Sequence, residues 1–270
     1  MAVAELNPIR KMQLLAYRYY TFSRSLLSPV NNDPLWHFEK WADAEIKWGF
    51  NSTYFVYVGE GSHKFDCDIL PDDPMEFRGR RMKIKEYVTL LAQTGAEVGI
   101  HGSYLTFNNS DLLRKEITVL EDILGDKVHS SRQHYLHFET DTTPKVLKDC
   151  GIKVDSTLGF NRRPGFRAGT SFPYYIDGVL EVPLTVMDGS LFNANSLNLS
   201  EKEACNKIIE IVDLVEETGG CLVVNFHPNY LNRNEWWNVY LFLLKELNSR
   251  KAYCTSMENI YKTVEQLCVA

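Results

Sequence analysis

Short apolar runs in this chain break off at residues that can move or hold a proton. "EVGI" ends at His101, "GIKVD" at Asp155 and "LVVNF" at His227, while "VHSSRQHYL" carries Arg132 and His134. Between these runs the pattern changes to helical spacing, as in Leu113, Ile117, Leu120 and Leu124, which share one face. Parallel strands need long crossovers, usually helices, so this alternation predicts an α/β fold with a parallel sheet or barrel. In such folds the carboxyl ends of the strands form the rim of the pocket. Three histidines, an aspartate and an arginine are therefore expected to line one cleft. Period-two alternation would put Arg132 and His134 on one strand face.

The remaining elements follow from local signals. Helices are predicted over residues 9–27 and 34–48, and a buried strand over Ser52–Val58. A polar loop leads to a helix from Arg81 to Gln93, and Ser110 or Asp111 caps the next one, through Leu124. "TTPKVLKDCG" has Pro144 in its first turn and Gly151 after its end, the expected asymmetry of a short helix. "VLEVPLT" reads as a strand, and Ser200 with Glu203 forms a capping box for a long helix ending at a Gly pair. A further helix, a short strand "KAYC" and a last helix close the chain. No repeat, low-complexity stretch or Pro/Gly-rich linker interrupts it, so residues 1–270 are expected to form a single domain.

Composition narrows the function classes. The net charge of −6 and the lack of a basic stripe argue against nucleic acid as a partner. The six cysteines are scattered with no C-x-x-C pair, which fits reduced thiols and a cytoplasmic protein. The N-terminal segment has no long apolar core, so neither a signal peptide nor membrane insertion is expected. His37, His63, His129 and His137 lack a strand-end placement and read as surface or structural residues. Trp236 and Trp237 share a helical face with Tyr240, Leu241 and Leu244, which favours core packing over sugar stacking. Arg167, in "GFRAGTSFPYY", suits a carboxylate or an array of ring hydroxyls.

The blocks "EVGIHGSY", "SRQHYLHF", "GIKVDSTLGF", "GFRAGTSFPYY" and "VVNFHP" resemble, in order and spacing, the polysaccharide deacetylases, a family of metal-dependent carbohydrate esterases. The likeness runs from about residue 33 to the C-terminus. It is narrower towards a chitooligosaccharide-deacetylase-like bacterial branch associated with surface-polysaccharide (lipopolysaccharide) biosynthesis. It implies a distorted (β/α)7-type barrel and a hydrolase of amide bonds that removes N-acetyl or O-acetyl groups from a carbohydrate substrate. The implied cofactor is a divalent metal, zinc for preference, which polarises the carbonyl and activates water.

Carried over by position, the resemblance makes His101 a metal ligand; Leu105 stands where the second metal histidine is expected, and His134, on the neighbouring strand, could replace it. It makes Arg132, Asp155 and His227 catalytic, with Asp155 positioning Arg132 and His227 acting as acid. Tyr104 and Arg167 become substrate-binding. The family's first strand, with its paired aspartates, has no counterpart ahead of the 9–27 helix, and "FDCDILPDD" follows the Ser52–Val58 strand instead. A truncated enzyme, a fold that has lost the reaction as a glycan-binding or scaffold protein, and a recruited carboxylate (Glu97, Asp155 or Asp188) all remain open. A barrel incomplete at its first strand would leave two strand edges unpaired.

Overall fold

The computed structural model describes residues 38–67, 69–228 and 233–269; the helix expected over 9–27 lies outside them. Helix α1 spans Phe38–Trp48 and leads into strand β1, Thr53–Val56. A hairpin of β2 (Pro74–Phe77) and β3 (Arg80–Lys83) then precedes α2, Ile84–Gln93, and β4, Glu97–Ile100. Next come α3 (Ser110–Leu124), β5 (Ser130–Ser131), α4 (Thr143–Asp149) and β6 (Val154–Asp155). Strands β7 (Tyr174–Ile176), β8 (Val179–Glu181) and β9 (Val186–Met187) are followed by α5, Asp188–Phe192. Helix α6 (Glu201–Thr218), β10 (Val224–Asn225), α7 (Asn234–Ser249) and α8 (Met257–Val269) complete the described chain.

The strands form a curved parallel wall. The main sheet runs β1-β4-β5-β6-β8-β7, all parallel except the β7–β8 hairpin, and β9 pairs in parallel with β10. Strands β8 and β9 are two halves of one extended run, 179–187, broken at Pro183, which has no N–H to donate to a ladder. The first half bonds β6 (Val182 N–H to Asp155 O, 2.8 Å), and the stretch before β9 bonds the other neighbour (Thr185 N–H to Val223 O, 3.0 Å). The wall therefore bends round from β1 to β10. Among the described residues β1 pairs with β4 alone and β10 with β9 alone, so the barrel is open between them. This is the distorted, incomplete barrel expected from the sequence, and a cleft of about 1810 Å³ occupies the opening.

Helices cover the outside of the wall. Val98, Ile100, Leu113, Ile117, Leu120 and Leu147 pack into one core behind β4 and β5. A second core joins α6 and α7 to α1 through residues such as Ile208, Val212, Val239 and Leu243. The buried carboxylate of Glu45 ties α1 to both sides of the opening. It accepts hydrogen bonds from Trp41 Nε1 (2.6 Å), Ser52 Oγ (2.5 Å), Tyr54 Oη (3.1 Å) and Tyr240 Oη (2.9 Å). Trp236 is buried and stacks on Phe192, while Trp237 packs partly buried against the same core.

Several local expectations are corrected. The loop after β1 contains the β2–β3 hairpin, so the following helix begins at Ile84 rather than Arg81. Asn109, not Ser110 or Asp111, caps α3, its side chain accepting from Leu112 N at 3.0 Å. "KAYC" forms no strand. The run "VHSSRQHYL" pairs as a strand only at Ser130–Ser131, and Tyr135 and Leu136, both at positive φ (59° and 52°), turn His134–Leu136 into a 3-10 turn. The capping box at Ser200 and Glu203 is formed, and Gly219 ends α6 at φ 80°.

Candidate active site

The residues at the strand ends are brought together. His101 follows β4, Arg132 and His134 follow β5, Asp155 ends β6 and His227 lies just beyond β10. His101, Arg132, His134 and His227 all line the large cleft. Asp155 does not; it lies beneath, 1 % exposed.

One centre is a pair of imidazoles. His101 Nδ1 lies 2.7 Å from the carbonyl of Arg132, which can only accept, so Nδ1 carries the proton and Nε2 presents its lone pair. That lone pair faces His134 Nδ1 at 2.8 Å. Burial, then the neighbouring charges of His134, His227 and Arg132, holds His101 well below the ordinary histidine range, despite its bond to the Arg132 carbonyl. Burial also lowers His134, against a hydrogen bond to the Phe65 backbone and the charge of Asp66. Gly102 makes the approach possible. His134 N–H bonds its carbonyl at 3.0 Å, and a Cβ on Gly102 would come within 2.5 Å of Thr106 Oγ1 and 2.9 Å of Gln133 Oε1. Leu105 is 43 % exposed and takes no part in the cleft.

The pair offers the right donor chemistry for a borderline divalent ion, since neutral imidazole nitrogen is a common zinc ligand. It falls short in number. Catalytic zinc sites normally draw on about three protein ligands, and among the described residues no group of three or more His, Cys, Asp or Glu could hold a metal.

The other centre is a carboxylate–imidazole dyad. Asp188, the first residue of α5, is fully buried. Parallel pairing sets Met187 beside Asn225, so the next residues of the two chains run level. Asp188 Oδ2 accepts the backbone N–H of His227 at 2.6 Å, and Oδ1 lies 2.7 Å from His227 Nδ1. Burial alone would lower the His227 pKa, but the charge and hydrogen bond of Asp188 outweigh it and raise the pKa. The His227 side chain is 38 % exposed towards the cleft.

Arg132 spans the floor between the two centres. Its Nε donates to Ser156 O (2.9 Å), one Nη to Ser156 Oγ (2.8 Å) and the other to Asn225 Oδ1 (3.1 Å), with Phe55 stacked 4.5 Å away. The expected grip of Asp155 on Arg132 is corrected: Asp155 takes hydrogen bonds from Ser131 and from Thr157 (2.9 Å to Oγ1). Its influence on Arg132 is electrostatic. Burial pulls the guanidinium down to about 10, while Asp155 and Glu181 hold it up. Glu181, the register partner of Asp155, is driven well above the carboxylate range, first by burial and then by the Asp155 charge, so it holds the proton of this pair.

None of the carboxylates considered for recruitment is presented to the cleft. Asp188 serves His227, Asp155 serves Ser131 and Thr157, and Glu97 accepts from Thr53 Oγ1 and Glu258 N–H. Asp66, in the "FDCD" stretch that follows the Ser52–Val58 strand, lines the cleft. Its oxygens accept Tyr104 N–H and His63 N–H, both at 2.8 Å, and its charge acts on His134. The signal that could have found it is its position in the loop beyond the carboxyl end of β1.

Tyr104 and Arg167 stand apart from this cleft. Both line a side pocket of about 410 Å³, which shares Tyr135, Leu136 and Asn161 with the main cleft. His137 lines this pocket and stacks on Phe107 (3.5 Å between rings), while His63 stacks on the wall residue Tyr104 (4.5 Å).

No protein-family model and no curated protein sequence matches the chain. Solved structures share its fold. A protein from Mycobacterium smegmatis assigned to the polysaccharide deacetylases superposes with a TM-score of 0.64 at 20 % identity, over 87 % of this chain and 78 % of its own. The allantoinase PuuE gives 0.60 at 12 % identity, over 90 % and 75 %. A protein from Pseudomonas aeruginosa PAO1, likewise assigned as a polysaccharide deacetylase, gives 0.54 at 14 % identity, over 87 % and 93 %. The chain thus has the polysaccharide deacetylase fold. That fold also carries an allantoinase, so it does not by itself name a substrate.

Proposed function

We propose that this protein is a deacetylase-type hydrolase acting on N-acetyl or O-acetyl groups of a carbohydrate, in surface-polysaccharide metabolism. The observation that carries the reading is the Asp188–His227 dyad standing across one cleft from the His101–His134 pair. Amide hydrolysis needs a proton delivered to a poor leaving group, and a histidine with a raised pKa suits that task. Asp188 would hold Nδ1 and orient the ring, and Nε2 would be the proton-transfer atom of the acid. Arg132, fixed by Ser156 and Asn225, would present positive charge beneath the reacting carbonyl. Asp155 would act on Arg132 through its field alone. Tyr104 and Arg167 would bind the sugar beyond the reacting group.

A divalent metal, zinc for preference, would be held by His101 and His134. When bound it would supply Lewis-acid polarisation of the carbonyl. The test is acetate release from N-acetylated oligosaccharides and O-acetylated sugars, with His227→Gln as control. Release that the substitution leaves unchanged would sink the assignment.

A second reading is glycan binding without turnover. The two-nitrogen donor set, and an Asp66 whose oxygens both accept backbone N–H groups, favour it. It expects saturable binding of the same oligosaccharides with no acetate released.

A further inference from the structure

We propose that the side pocket between Tyr104, Tyr135 and Arg167 is an accessory subsite for a carboxylate-bearing sugar ring, next to the residue held in the main cleft. The proposal rests on the carbohydrate reading above and names the kind of glycan it takes. Tyr135 is the first observation. The residue is 53 % exposed, and it belongs to both the main cleft and the side pocket.

The backbone that presents this ring is strained. Tyr135 and Leu136 are consecutive non-glycine residues at positive φ, each costing about 1–3 kcal/mol. Asn161 Nδ2 donates to the Tyr135 carbonyl at 2.9 Å and pins the turn. The same turn delivers His134 to His101, so Tyr135 is presented at a fixed offset from the candidate centre. Phe65 (5.0 Å) and Tyr104 (6.0 Å) buttress one side of the ring. An exposed aromatic ring held this way offers a flat surface to the C–H face of a pyranose.

Charge selects the kind of ring. The net charge of the chain is −6, yet residues 158–170, "LGFNRRPGFRAGT", contain three arginines and no acidic residue. Among the described residues no carboxylate lines the side pocket. Arg163 lies over the Phe160 ring at 4.2 Å, whereas Arg167 faces the pocket, exposed, with one Nη donating to Gly159 O at 3.2 Å. A guanidinium has five N–H donors in a fork that matches a carboxylate. Arg167 beside an exposed tyrosine therefore suits a uronic acid better than a neutral sugar.

The test is calorimetric titration of the full chain with two tetrasaccharides, one alternating N-acetylglucosamine and glucuronate, the other neutral N-acetylglucosamine throughout. The uronate-bearing glycan is expected to bind at least about tenfold more tightly at low salt, as one charged hydrogen-bonded pair permits. Arg167→Gln should abolish that preference, and Tyr135→Ala should weaken both glycans. Thermal unfolding of each variant checks that it is folded. Equal affinities for the two glycans, or a preference that survives Arg167→Gln, overturn the subsite and leave the hydrolase reading standing. Failure of both glycans to bind overturns the subsite and the carbohydrate reading together.

Discussion

His227 and His101 share one cleft, but a buried carboxylate stands behind the first and a second imidazole beside it faces the other. Asp188 spends both oxygens on His227 and raises its pKa, so the ring favours a proton. His101 is lowered by burial and by the neighbouring His134, against its bond to the Arg132 carbonyl, so it favours the unprotonated state and turns its Nε2 lone pair towards His134 at the cleft wall. One side is suited to giving a proton and the other to binding a cation. The difference comes from what each ring's Nδ1 meets, since both histidines follow parallel strands in the same way.

The largest expected effect lies on the Asp188 side. His227→Gln should lower acetate release by about 10²–10⁴, the usual contribution of a positioned acid, while glycan binding persists. Parallel losses of rate and binding would break the comparison. On the other side, protein purified without chelator is expected to carry one divalent ion per chain, and His101→Ala to carry none, measured by elemental analysis. An ion retained by the variant would place the metal elsewhere.

A pH profile separates the centres more finely. If the His227 imidazolium is the acid, the rate falls as pH rises through its raised pKa. Asp188→Asn removes the charge that raises it, so the alkaline limb should move to lower pH. An unmoved limb would show that another group sets it.

The smallest effect concerns Glu116, which supports the His101 loop by accepting Ser103 N–H at 3.0 Å. Burial, chiefly, pushes its carboxyl up to about 7 from 4.5. Between those values the folded state holds the proton that the unfolded state releases, so stability falls as pH rises through this window. The penalty is complete above about 7 and on the order of 3 kcal/mol. Glu116→Gln keeps an acceptor for Ser103 and should raise the melting temperature at pH 8 more than at pH 5. An equal gain at both pH values would remove Glu116 as a proton-linked support.

Much of this was legible before any coordinates. The β/α alternation, the parallel wall and the strand-end positions of His101, Arg132, Asp155 and His227 follow from apolar runs and their stops. Asp188 was visible only as one carboxylate among several, because its role depends on β9 and β10 pairing in register. Asp66 reaches the cleft although it follows the first strand in the chain, because order along the chain does not fix position in space. The extended reading of "SRQHYL" failed because two positive-φ residues with side chains were unforeseeable from propensity; Asn161, distant in sequence, helps hold them.

By itself, the sequence determined which chemical groups stand at the ends of which strands, because period and apolar run length are local properties. The tertiary structure alone decided how those groups are shared out. It gave Asp188 to His227, His134 to His101, and Tyr104 with Arg167 to a separate pocket. Pairing across 30 or more residues depends on strand register, a bend at Pro183 and the close approach that Gly102 permits. Those are relations between segments, and no segment carries them alone.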